Sequence, residues 1–126
     1  MAFPKQELFS NEDQQLSRYG RALGHPARVF ILRELERCSV LSAGAIEALV
    51  PLSQSAVSDH LRILRLTGFI EVECQGRYNY YSLNTSVLHM AELQLGVLFQ
   101  VLSSGGMTGN EMILRGAGEV FTAESG

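Results

Sequence analysis

Apolar residues recur with helical spacing over 53–66, where Val57, Leu61 and Leu64 fall at i, i+4 and i+7. The opposite side of that segment carries Gln54, Ser55, Ser58, Asp59, Arg62 and Arg65, and Ser53 precedes it as a cap. Thr67-Gly68 ends the helix, with glycine suited to a left-handed cap. The period then changes. Over 69–74, Ile70, Val72 and Cys74 alternate with Glu71 and Glu73, as in a strand. Gln75-Gly76-Arg77 reads as a turn, and 78–83 as a second, aromatic strand.

Upstream, Ser10 or Asn11 can cap a first helix to about residue 23, with Glu12 and Asp13 in its positive first turn and Leu16, Tyr19 and Leu23 on one face. Gly24-His25-Pro26 breaks it. Pro26 starts a second helix to about residue 37, with Val29, Ile31, Leu32 and Leu35 inward. Ser42 can cap a short third helix carrying Ile46, Leu49 and Val50, and Pro51-Leu52 makes the turn into the fourth. After the hairpin, Asn84 or Thr85 caps a last helix to about residue 102, apolar around nearly its whole circumference. A terminal helix apolar on more than one face needs a second surface, and a symmetric partner chain supplies one.

The predicted fold is mostly α with a small antiparallel β-hairpin, in the order helices, hairpin, helix. This is a winged helix-turn-helix dimerising through its first and last helices. Residues 1–10 read as a lead-in, 11–102 as the domain, and 103–126, with six of the 12 glycines, as a flexible tail. The expected dimer contacts are Leu16, Tyr19, Leu23, Val87, Met90, Leu93, Val97 and Val101.

Such a helix presents its first turns to base edges in a DNA major groove, and the wing tip meets phosphate or the minor groove. The expected DNA contacts are Ser53, Gln54, Ser55, Ser58, His60, Arg62, Arg65, Gln75 and Arg77. Gln54 suits bidentate pairing with adenine. Asp59 is better read as a partner for Arg62 three residues on than as a contact to cytosine. Tyr78, Tyr80 and Tyr81 are expected to brace the wing.

Composition tempers this reading without reversing it. The net charge is −3, unhelpful for a protein that binds a polyanion. Residues 18–77, however, hold eight arginines against six acids, so the acidity lies outside the proposed contact region. A winged-helix protein-interaction module without DNA binding is the alternative that the total charge favours; the intact polar face of 54–65 argues against it. No phosphate loop, nucleophile–base pair or metal-water motif is present, so no enzyme is expected. The reading also expects no membrane-spanning window, no secretory signal, and a cytoplasmic location with Cys38 and Cys74 as reduced, packed thiols.

Three ordered motifs resemble the ArsR-type family of bacterial winged-helix repressors. They are A-L-G-H-P-A-R-V-F-I-L-R-E-L over 22–35, L-S-Q-S-A-V-S-D-H-L-R-I-L-R-L-T-G-F-I over 52–70, and Q-G-R-Y-N-Y-Y-S-L over 75–83. The resemblance implies a homodimer on an inverted-repeat operator in double-stranded DNA, with repression released by a small-molecule or other inducer. His60 matches a histidine of the family, which implies a DNA contact; the equal alternative is a packed, hydrogen-bonded histidine beside the turn. Where members carry a Cys-x-Cys metal site, this chain has Ser42 and Gly44. Where others carry ligands on the last helix, it has Thr85, Val87, Leu98 and Val101. No metal or cofactor is therefore expected. His89 and Glu92, at i and i+3, read as a solvated pair rather than as zinc ligands.

Overall fold

A computed structural model describes residues 8–105. Residues 1–7 and 106–126 lie outside the described region, so most of the lead-in and tail readings do too. The chain divides into two compact units, Met1–Glu92 and Leu93–Gly126. The described part of the second is the latter portion of the last helix.

The helix ends follow from local chemistry. Helix α1 (Asn11–Ala22) begins where the Ser10 hydroxyl accepts from the Asp13 amide at 3.0 Å, with Glu12 and Asp13 against the positive end of the helix. Helix α2 (Pro26–Cys38) has proline in its first turn, and its cap is His25, whose Nδ1 accepts from the Ala27 amide at 3.0 Å. It stops at Ser39, held at φ 72° while the Val40 amide donates back to the Cys38 carbonyl at 2.8 Å. This left-handed turn is costly for a residue with a Cβ. Helix α3 (Ala43–Leu49) is capped by Ser42, and α4 (Gln54–Thr67) by Ser53, whose hydroxyl accepts from the Ala56 amide at 3.2 Å. Gly68 closes α4 at φ 91°; a Cβ there would be strained and would also meet Val87 at 3.4 Å.

Strands β2 (Ile70–Gln75) and β3 (Tyr78–Leu83) form the hairpin, with Val72 opposite Tyr81. Gly76 at φ 64° supplies the left-handed turn at the tip. A third strand, β1 (Leu41–Ser42), pairs with Tyr81 and Tyr80, giving a three-stranded sheet in the order β1-β3-β2 rather than a bare hairpin. Two residues are too few to show an alternating pattern, so β1 exists only through its pairing. Helix α5 (Thr85–Ser104) starts where Asn84 Oδ1 accepts from the Val87 amide at 3.2 Å.

The core lies where α1, α2, α3 and α4 meet the base of the sheet. Ala22, Val57 and Leu64 are fully buried, and Ile31, Leu35 and Ile46 nearly so. Tyr19 is also there, 2% exposed, with its ring stacked 5.7 Å from Phe69. This corrects its assignment to a dimer contact: the Tyr19 ring fills the core of its own chain. Leu16 and Val87 are half-buried, while Leu23 and Met90 are exposed.

Helix α5 buries little. Ala91 is its one buried residue, and Leu93, Val97, Phe99, Val101 and Leu102 are each more than half exposed. By length and composition it is long and apolar enough to cross a membrane. That corrects the expectation that no such window exists.

Candidate nucleic-acid interface

The four apolar positions of α4 that enter the core (Val57, Leu61, Ile63 and Leu64) leave its other side in solvent. Ser53, Gln54, Ser55, Ser58, Asp59, Arg62 and Arg65 are all exposed there. The face runs from short neutral groups at the start to cations near the end. Ser53 Oγ, besides capping, lies 3.4 Å from Ser55 Oγ. Gln54 Nε2 donates to Glu47 Oε2 at 3.4 Å, linking α4 to α3 across the turn. That bond is long and exposed, so the Gln54 amide can exchange it for another partner. Arg62 pairs with Asp59 at 3.0 Å, both about half exposed, as the i, i+3 spacing suggests. Such a surface pair is weak and leaves Arg62 available to a stronger anion. Arg65 makes no ion pair among the described residues.

The wing adds Gln75 and Arg77, both exposed, on either side of Gly76. Tyr78 is exposed, Tyr80 half-buried and Tyr81 buried; the Tyr78 and Tyr80 rings lie 6.5 Å apart. Tyr80 and Tyr81 also hold β1.

His60 does not belong to the outward face. It is 9% exposed, its ring lies 4.3 Å from that of His25, and its Nδ1 is 2.8 Å from Arg28 Nη1. The guanidinium can only donate, so His60 Nδ1 is the acceptor and carries no proton. Burial, then His25 and Arg28, pull the His60 pKa below the ordinary histidine value, against a smaller upward pull from Asp59. His60 is thus corrected from an outward-facing contact to an inward-facing anchor.

Arg28 completes that anchor. It is 7% exposed and donates to the Arg21 carbonyl at 2.8 Å and 3.2 Å and to the Ala22 carbonyl at 3.3 Å. These are carbonyls of the last turn of α1, where the helix dipole favours a cation. One side chain from α2 therefore ties the end of α1 to the middle of α4. Sequence reading gave Arg28 no role, although it falls at i−3 and i−7 from the buried Ile31 and Leu35 and so lies on the inward stripe.

Among the described residues no three His, Cys, Asp or Glu side chains are grouped to hold a metal. His89 and Glu92 are both exposed. Cys38 is half-buried; Cys74 is exposed rather than packed, with its thiol donating to Asn79 Oδ1 at 3.0 Å, and neither is in a disulfide.

Comparison with known proteins agrees with this geometry. Residues 25–72 match the profile of the family described as "Bacterial regulatory protein, arsR family". The HTH-type transcriptional regulator CmtR of Mycobacterium bovis is 39% identical over 90 residues, covering 71% of this chain and 73% of the relative. The transcriptional repressor SdpR of Bacillus subtilis is 37% identical over 68 residues, covering 54% of this chain and 74% of SdpR. Among solved structures, an ArsR-like transcriptional regulator from Rhodococcus sp. RHA1 superposes with a TM-score of 0.65 at 24% identity, covering 81% of this chain and 92% of the other, which speaks to the fold. The α3–turn–α4 unit, the wing behind it and these matches converge: the chain belongs to the ArsR family of bacterial regulatory proteins, which are DNA-binding transcriptional regulators.

Proposed function

We propose that the chain is a homodimeric repressor in the cytoplasm that binds an inverted-repeat operator and is released by an inducer. The observation that carries this reading is the exposed polar face of α4, with Gln54, Ser55 and Ser58 ahead of Arg62 and Arg65. Gln54, Ser55 and Ser58 would meet base edges or phosphates in the major groove, with Ser53 at the helix start. Arg62, Arg65, Gln75 and Arg77 would meet the backbone or, at the wing tip, the minor groove. His60 would act one step behind, by holding the angle of α4.

Dimerisation is supported by the apolar surface of α5, where Met90, Leu93, Val97 and Val101 are at least half exposed. A helix of this composition serves equally in a bilayer or against protein. Membership in a family of DNA-binding regulators favours protein. Two copies place two α4 helices about 34 Å apart, one turn of the duplex. They also double the few phosphate-facing arginines, which compensates for the modest local charge. Repression is then steric. An inducer that tilts one protomer spoils the half-site spacing, at a coupling of about 1–3 kcal/mol. The family's thiolate and last-helix ligand positions hold Ser42, Gly44, Thr85, Val87, Leu98 and Val101, so the inducer is better sought outside metals bound at those positions.

The test is a mobility shift with the DNA upstream of the chain's own coding sequence, over a salt series. The expected result is a discrete complex whose affinity falls steeply with salt. Absence of any complex down to low ionic strength overturns the reading.

A further inference from the structure

A cleft of about 180 Å³ is lined by Ser58, Leu61, Arg62 and Arg65 from α4 and by Tyr81 from β3. Four of these five residues bring hydrogen-bond donors and none brings a carboxylate. Tyr81 is the unusual member. The residue as a whole is 8% exposed, but its hydroxyl is accessible to solvent at the cleft and has no hydrogen-bond partner among the described residues. Such a donor can take an incoming acceptor without giving up an existing bond. Arg65 makes no ion pair among the described residues, and the Arg62–Asp59 contact is a solvent-exposed one that an incoming anion can loosen. Two guanidiniums, two hydroxyls and an apolar wall from Leu61 suit a tetrahedral oxyanion.

We infer that this cleft seats one phosphodiester of bound duplex DNA, with the Tyr81 hydroxyl donating to a non-bridging oxygen. The inference rests on the DNA-binding reading above and deepens it by adding Tyr81 as a contact residue. The duplex backbone is favoured over free phosphate because Ser58, Arg62 and Arg65 belong at once to the cleft and to the exposed face of α4. A phosphate seated there would set how far along its axis α4 engages the groove, since phosphate contacts fix register.

The test compares wild type, Tyr81→Phe and Arg65→Ala on a duplex that wild type selects from a random-sequence pool. Tyr81→Phe keeps the ring and removes one oxygen; a thermal melt checks that the fold persists, and Ser58→Ala provides a second, exposed variant. Tyr81→Phe is expected to weaken binding about tenfold, the loss of one hydrogen bond to a charged group. Its salt slope should stay that of wild type, because a neutral hydroxyl displaces no counterion, whereas Arg65→Ala should make the slope shallower by about one. In duplexes carrying a single neutral methylphosphonate, one position should weaken wild type and cost Tyr81→Phe nothing further. Wild-type affinity for Tyr81→Phe, or equal added losses at every methylphosphonate position, overturns the inference while leaving DNA binding intact. If inorganic phosphate raises the melting temperature of wild type but not of Tyr81→Phe, with duplex affinity unchanged, the cleft is a free-phosphate site and the inference is likewise overturned. Failure of wild type to select any duplex removes the DNA-binding reading and this inference with it.

Discussion

Helices α4 and α5 are both rich in apolar residues, and the fold treats them in opposite ways. In α4 the apolar residues form a stripe, and Val57, Leu61, Ile63 and Leu64 are all buried by neighbouring elements. In α5 they surround the axis, and Ala91 alone is buried. A stripe can be satisfied within one chain, leaving a polar face for a ligand. An apolar girdle cannot, and it asks for a further surface. On the proposed reading, α4 recognises and α5 assembles.

The contrast can be broken most severely at α5. Leu93→Glu combined with Val97→Glu should convert the dimer to monomer and lower affinity for a two-half-site duplex by about 100-fold or more, since the second half-site no longer binds intramolecularly. Light scattering and a binding isotherm check it. A persistent dimer would place the interface elsewhere.

Next in size is the inner side of α4. Leu64→Ala, at a fully buried position, should cost about 2–5 kcal/mol in denaturant unfolding, whereas Leu66→Ala, 66% exposed, should change stability by no more than about 0.5 kcal/mol. Equal losses would mean that Leu66 is buried in an assembly. At the wing, Arg77→Ala should weaken operator binding and make the salt slope shallower by about one, with no effect on folding. Unchanged affinity would remove the wing from the mechanism.

A subtler effect concerns the anchor behind α4. With its folded-state pKa held below the ordinary histidine value, His60 binds fewer protons in the native state than in the unfolded chain just below that value. Stability should therefore decline as pH falls through about 6.5 and below. His60→Gln should flatten that part of the stability–pH profile, as read by thermal melts across pH. A profile as steep as that of wild type would assign the acid sensitivity to another group. The smallest change should come from Ser39→Gly, which relieves a left-handed backbone conformation and should stabilise by about 1 kcal/mol.

Much of this architecture was legible in the chain because it is written locally. Ser10, Ser42 and Ser53 announce helix starts, Gly68 and Gly76 mark left-handed turns, and the change of period after residue 68 separates α4 from the hairpin. What depends on partners distant in sequence was not. Strand β1 is two residues given shape by Tyr80 and Tyr81. Tyr19 looked like an interface aromatic because nothing nearby in sequence reveals Phe69. His60 lies three residues after Val57, beside the apolar stripe, and was placed outward by family likeness rather than by period. Arg28 carried a signal in its spacing, but a charged residue on an inward stripe declares itself only when its acceptors, here two carbonyls and an imidazole, are seen.

The central claim is that the exposed polar face of α4 is what meets DNA. The most direct measurement is the affinity of Gln54→Ala/Ser55→Ala/Ser58→Ala for the duplex that wild type selects, set against a scrambled duplex. All three side chains are exposed, so circular dichroism and oligomeric state should match wild type. The account predicts that preference for the selected duplex collapses while salt-dependent binding to the scrambled one persists. A triple variant that discriminates as well as wild type would contradict it.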